Sequence, residues 1–196
     1  MKKIFLTLTI LILTFSTQIV ADTSNSIQRI YEGNKDAKVT IITYESFTCS
    51  HCADFHKNVY PQLKKEFIDA GLVKIEFRHF PLDMAALNAS KIAQCNNDGK
   101  SDILHFLFSN QKKWAIGETV ETANENLKKL LKDENIVIDF EKCTNNKKIE
   151  DYVLNDRIEG VKKFKVNATP TIIINNKKFD KSLNYKNLKK SIEKLI

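Results

Sequence analysis

The clearest hydrophobic pattern in the chain is a β-branched run from Val39 to Tyr44, which predicts a buried strand. It gives way after Cys49 to a helical period, with Phe55, Val59, Leu63 and Phe67 recurring every fourth residue. Gly71 is the stop signal, and Pro61 predicts a kink within the helix, because the period continues past it. Val73, Ile75 and Phe77 then alternate with Lys74, Glu76 and Arg78, as a strand with one polar face does. A strand, a helix and a strand in that order predict a right-handed crossover between parallel neighbours. Ahead of this unit, Ile27 to Tyr31 reads as a short first strand and Gly33 to Asp36 as a turn.

From Met84 to about Phe164 the spacing is helical around Ile92, Ile103 to Leu107, Leu127 to Leu131 and Ile149 to Val153. About four helices are expected there, and only Ile136-Val137-Ile138 has strand character. Strand texture returns at Thr171 to Ile174, Asn175-Asn176 turns the chain, and Lys177 to Phe179 pairs back as a hairpin. A last amphipathic helix carries Tyr185, Leu188, Ile192 and Leu195. The fold class is α/β, a central mixed sheet flanked by helices with an inserted helical subdomain at about 84–164.

The first 21 residues are read as an export signal rather than as fold. Lys2 and Lys3 precede an apolar stretch from Ile4 to Phe15, and Ile19-Val20-Ala21 supplies a cleavage site. Residues 22–196 are then one exported domain with a substantial core. The net charge of +7 invites a nucleic-acid reading, which the arrangement of charge rejects. Arg29, Arg78 and Arg157 are the only arginines, and the lysines are scattered among acids without a basic, aromatic-rich block.

Export changes the meaning of the cysteines, because a dithiol outside the cytosol can rest oxidised. Cys49 and Cys52 form a C-x-x-C where strand gives way to helix. The unsatisfied N–H groups and positive dipole of a helix N-terminus favour an anion, so Cys49 is expected to ionise easily. Haem attachment would need His at position 53, where Ala53 stands. Structural zinc would need a second close ligand pair; Cys95 and Cys143 are far apart, although His51 and His56 lie near the motif. No metal or other cofactor is expected. Cys95 and Cys143, an even pair left over in an exported chain, are expected to form a structural disulfide, with two free thiols or a second redox relay as the alternatives.

Three ordered segments carry a resemblance. Tyr44-x-Ser46-x-Thr48-Cys49-x-His51-Cys52, His79-Phe80-Pro81-Leu82 and Val166-x-Ala168-Thr169-Pro170-Thr171 resemble the DsbA-like branch of the thioredoxin superfamily over nearly all of residues 22–196. The resemblance implies a thioredoxin fold and a periplasmic thiol:disulfide oxidoreductase. Cys49, Cys52 and His51 would be catalytic, and a cis peptide between Thr169 and Pro170 would bind an extended client. Folding exported proteins with free cysteines are the implied clients, and a membrane quinone-linked protein the implied reoxidant.

The chain departs from that family in two places. Ser50 stands between the cysteines where many members have proline, and Thr43 stands where many carry a buried acid that helps move protons. A water or another carboxylate must then take the second role. Disulfide donation is the expected activity. An isomerase or reductase, or a non-catalytic client-binding module on the same scaffold, are the competing readings.

Overall fold

The computed structural model describes residues 26–196, so the export signal read at positions 1–21 lies outside the described residues. Five strands form one sheet in the order β1-β3-β2-β4-β5. They are β1 (Tyr31–Glu32), β2 (Val39–Glu45), β3 (Val73–His79), β4 (Thr171–Ile174) and β5 (Lys177–Lys178). β2 and β3 run parallel, as the strand–helix–strand reading expects, and the other pairings are antiparallel. β2 is central: Ile41 stands opposite Ile75 on one side and Ile174 on the other. Flanked on both edges and covered on both faces, it buries even Thr43 and Glu45.

The helix after the cysteines divides into α1 (Ser50–Asn58) and α2 (Tyr60–Leu63), with a wider π turn over Lys64–Ile68. Pro61 causes the break. It has no N–H to donate to the preceding turn, so the helix restarts with proline in its first turn, a position that needs no donor. The π turn closes through Asp69 N–H donating to Lys64 C=O at 2.9 Å. It keeps Phe67 and Ile68 on the buried face.

Six helices lie between positions 84 and 164, against about four expected: α3 (Met84–Gln94), α4 (Asp102–Ser109), α5 (Gln111–Trp114), α6 (Val120–Asp133), α7 (Phe140–Thr144) and α8 (Lys147–Phe164). Four of the six starts are set by side-chain caps, with Asp83, Thr119, Asp139 and Asn146 each accepting from a first-turn N–H. α4 and α5 lack such a cap and are short, which is why their apolar spacing merged into one signal. Ile136–Ile138 is not a strand; Val137 is 96% exposed in the link between α6 and α7. The first strand also falls later than expected, at Tyr31–Glu32.

α9 (Tyr185–Ile192) ends the chain's regular structure and packs Leu188 and Ile192 into the main core. A second cluster lies around Tyr44, Phe80, Phe164, Val166 and Ile173, where α8 crosses β2 and β4. Gly160 allows that crossing, since a Cβ there would lie 2.7 Å from the Tyr44 ring.

Cys95, at the end of α3, and Cys143, in α7, are joined by a disulfide with a Cα–Cα distance of 5.6 Å. Closing a 48-residue separation stabilises a chain by about 4 kcal/mol in the loop-entropy picture. Replacing both cysteines by alanine is therefore expected to lower the unfolding free energy by about 2–4 kcal/mol. Urea denaturation checks this, and exchange at the other two cysteines should persist.

Candidate active site

The central strand delivers the C-x-x-C. β2 ends at Glu45, and Ser46 C=O accepts from Cys49 N–H at 3.1 Å, which turns the chain into α1. Cys49 is the N-cap of α1, with extended backbone, and its carbonyl accepts from the N–H groups of Cys52 and Ala53. Three side chains hold this turn. Ser46 Oγ accepts from Leu82 N–H, Thr48 Oγ1 donates to Asp83 Oδ2 at 2.6 Å, and Gln111 Nε2 donates to the carbonyls of Phe47 and Cys49 at 2.7 and 2.9 Å.

The two cysteines are free thiols in unequal surroundings. Cys49 is part-exposed and Cys52 is fully buried one turn into the helix. The Cys49 thiol is held down to about 5, first by the hydrogen bond with the Cys52 thiol, against the burial that raises it. Contact with Thr169 and the backbone N–H groups of Cys52 and His51 lower it further. Burial pushes the Cys52 thiol far up, and its bond to Cys49 and the nearby Glu45 charge add to that. One sulfur is thus an anion at neutral pH and the other a thiol.

Thr169 and Pro170 lie against Cys49, joined by a cis peptide bond as the resemblance implies. The Cys49 thiol donates to Thr169 C=O at 3.2 Å. A thiolate has no proton to donate. The Thr169 hydroxyl is buried with no hydrogen-bond partner among the described residues, and it is expected to turn to the thiolate as its donor. A hydrogen bond to a charged group contributes about 1.5–3 kcal/mol, so Thr169→Val is expected to raise the Cys49 pKa by about one pH unit. Thiolate absorbance during a pH titration measures this.

A groove of about 930 Å³ runs from this point along α1 and α2 to the start of α9. His51, Phe55, Val59, Thr169, Pro170 and Tyr185 are among the residues that line it. His51 is exposed at its edge and reaches Cys49 through its backbone N–H. The structure therefore brings together Cys49, Cys52, His51, Thr169 and Pro170, and keeps Cys95 and Cys143 apart in their own disulfide. Among the described residues, no three His, Cys, Asp or Glu side chains are grouped to hold a metal ion.

The sequence reading passed over Gln111 and Glu45. Nothing local marks Gln111, whose role depends on where α5 docks. Glu45 carried one signal, an acid at the end of an otherwise apolar strand.

The sequence profile described as Thioredoxin matches residues 25–194. The chain belongs to the thioredoxin family. Among solved structures it is similar to alpha-DsbA1 of Wolbachia pipientis, at 30% identity and a TM-score of 0.74, over 85% of this chain and 90% of that one. It is 28% identical over 176 residues to disulfide bond formation protein D of Bacillus subtilis, covering 83% of this chain and 74% of that protein. A putative protein-disulfide oxidoreductase of Rickettsia bellii is 29% identical over 147 residues, 73% of this chain and 55% of the relative. The chain spans about half the length of the Rickettsia relatives it matches.

Within this thioredoxin-family fold, the geometry suits a two-step exchange. The part-exposed Cys49 is open to an incoming sulfur, and the buried Cys52 stands next to it.

Proposed function

We propose that this protein is an exported thiol:disulfide oxidoreductase of the DsbA type, which donates the Cys49–Cys52 disulfide to folding exported proteins with free cysteines. A client thiolate attacks Cys49 Sγ, the internal disulfide breaks, and a mixed disulfide forms. The client's second thiol then displaces Cys49 as a thiolate. The groove beside Thr169 and Pro170 supports binding of an extended segment through its backbone, which suits clients of varied sequence. The net electrons leave through a reoxidant, assigned here to a membrane quinone-linked partner, and the site of action to the periplasm.

The observation that carries this reading is the Cys49 thiolate, held down to about 5 beside a Cys52 held as a thiol. A thiolate that ionises two pH units below neutrality stabilises the reduced pair, and on the two-electron scale this is worth about 60 mV toward an oxidant. Equilibration with glutathione buffers gives the reduction potential. A value well above about −200 mV is expected for a donor. A value near about −270 mV, the thioredoxin level, makes the protein a reductase and overturns donation.

A further inference from the structure

Four ionisable side chains that the exchange steps leave unused form a row that starts near the buried cysteine and runs toward the surface. Glu45 stands at the inner end, its side chain 4% exposed and its charge felt by Cys52. Glu45 Oε2 lies 2.9 Å from His56 Nε2, while Oε1 is buried with no hydrogen-bond partner among the described residues. His56 Nδ1 is 3.2 Å from His105 Nδ1, and His105 Nε2 is 2.7 Å from Glu32 Oε1. His56 is 6% exposed and His105 28%. Glu32 Oε2 accepts from Lys64 Nζ at 2.9 Å, and Ser101 Oγ donates to Oε1. Glu32 is 15% exposed, and against the burial that raises it the bonds from His105, Ser101, Tyr60 and Lys64 hold its carboxyl well below the usual carboxylate range, so the row meets solvent at His105.

The proton count of the row is set by its geometry. Three contacts between these four groups need three protons, one for each. Two neutral imidazoles and two carboxylates carry only two. A third proton would be needed for all three contacts to be hydrogen bonds at once, so the row has room to take one up. An imidazole can accept a proton on one nitrogen and release one from the other, so two in series can pass a proton without moving. The groups facing the row leave it intact. His79 bonds Gln94 Oε1, Lys64 joins Glu32 to Asp69, and the Tyr60 phenol is kept protonated by burial and by the Glu32, Asp69 and Glu45 charges.

We propose that Glu45, His56 and His105, with the Glu32 carboxylate orienting His105, are a proton relay, which delivers a proton to Cys52 Sγ when the internal disulfide breaks and draws its replacement from solvent at the part-exposed His105. The balance is as follows. Attack by a client thiolate on Cys49 forms one S–S bond and breaks another, leaving the electron pair on Cys52. Cys52 takes a proton from Glu45, Glu45 from His56, His56 from His105, and His105 from solvent. In the second step the client disulfide closes and Cys49 leaves as a thiolate. Of the two client protons, one is in effect transferred to Cys52 and one stays in solvent. Reoxidation runs the same wire outward.

The inference rests on the exchange reading of the cysteine pair but not on the direction of transfer. Its test therefore uses dithiothreitol and the full protein. Rapid-mixing reduction of the oxidised protein is followed from pH 6 to 8, in H₂O and D₂O, for the unaltered chain, His105→Gln and His105→Ala. His105→Gln keeps hydrogen-bonding capacity but cannot relay, and is expected to slow reduction at least about 10-fold and alter the pH profile. The Cys49 thiolate titration should remain unchanged. His56 and His105 line a cavity of about 780 Å³, which has room for a small ring. Free imidazole is therefore expected to restore the rate of His105→Ala. If either variant fails to fold, Glu32→Gln should slow reduction in the same way. Unchanged rates in a folded variant, or slow reduction that imidazole leaves untouched, would overturn the relay. An unaltered protein inert to dithiothreitol would instead refute the exchange reading.

Discussion

Cys49→Ala is expected to reduce exchange to the uncatalysed level, whereas Cys52→Ala is expected to capture partners and fail to release them. The asymmetry follows from burial. The Cys49 sulfur is part-exposed beside the groove and ionised at neutral pH, so it is the sulfur that an external disulfide or thiolate meets. Cys52 is fully buried and held as a thiol, so it reacts only with its neighbour. Without Cys52, a mixed disulfide at Cys49 loses its internal resolving group and persists. Mass spectrometry under non-reducing conditions should find adducts on Cys52→Ala and none on Cys49→Ala. Equal adducts on both variants would mean that Cys49 is not the entry sulfur.

The reduced protein is expected to gain stability relative to the oxidised one as pH rises from 5 toward 8.5. A thiol in an unfolded chain ionises near about 8.5, while Cys49 in the folded protein is held down to about 5. A group whose folded pKa is lowered contributes stability that is fully present above its unfolded value and is lost as pH falls through its folded value. At pH 7 the two-unit gap corresponds to about 2.7 kcal/mol, and solvent screening of a part-exposed sulfur reduces it to about 1–2 kcal/mol. Cys52 acts with opposite sign but in another window. Its folded pKa is raised, so it subtracts stability only above about 8.5, where the unfolded thiol ionises. In the oxidised protein neither sulfur titrates. Urea unfolding of both forms at pH 4.5 and pH 7.5 isolates the effect, and parallel curves would show that Cys49 is not stabilised as an anion.

Much of the scaffold was readable because its signals are local. The apolar run of β2, the alternation of β3 and the Asn175-Asn176 hairpin each appear where expected, the last with both asparagines at positive φ. Boundaries were less readable where two short elements share one apolar spacing, as in α4 and α5. At Ile136–Ile138, β-branched residues suggested a strand, but the segment links α6 to α7 and pairs with no strand of the sheet. His56 and His105 show the limit most clearly. Separated by 49 positions, they carry no joint signal until α1 and α4 pack together.

The sequence by itself determined the strand–helix placement of the C-x-x-C, because period and chain order are written in neighbouring residues. Only the tertiary structure decided which sulfur ionises and how a proton can reach the other. Those properties depend on burial and on contacts such as Cys49 with Thr169, 120 positions away, and Glu45 with His56. Electrostatic fields act through space, and pattern along the chain does not specify them.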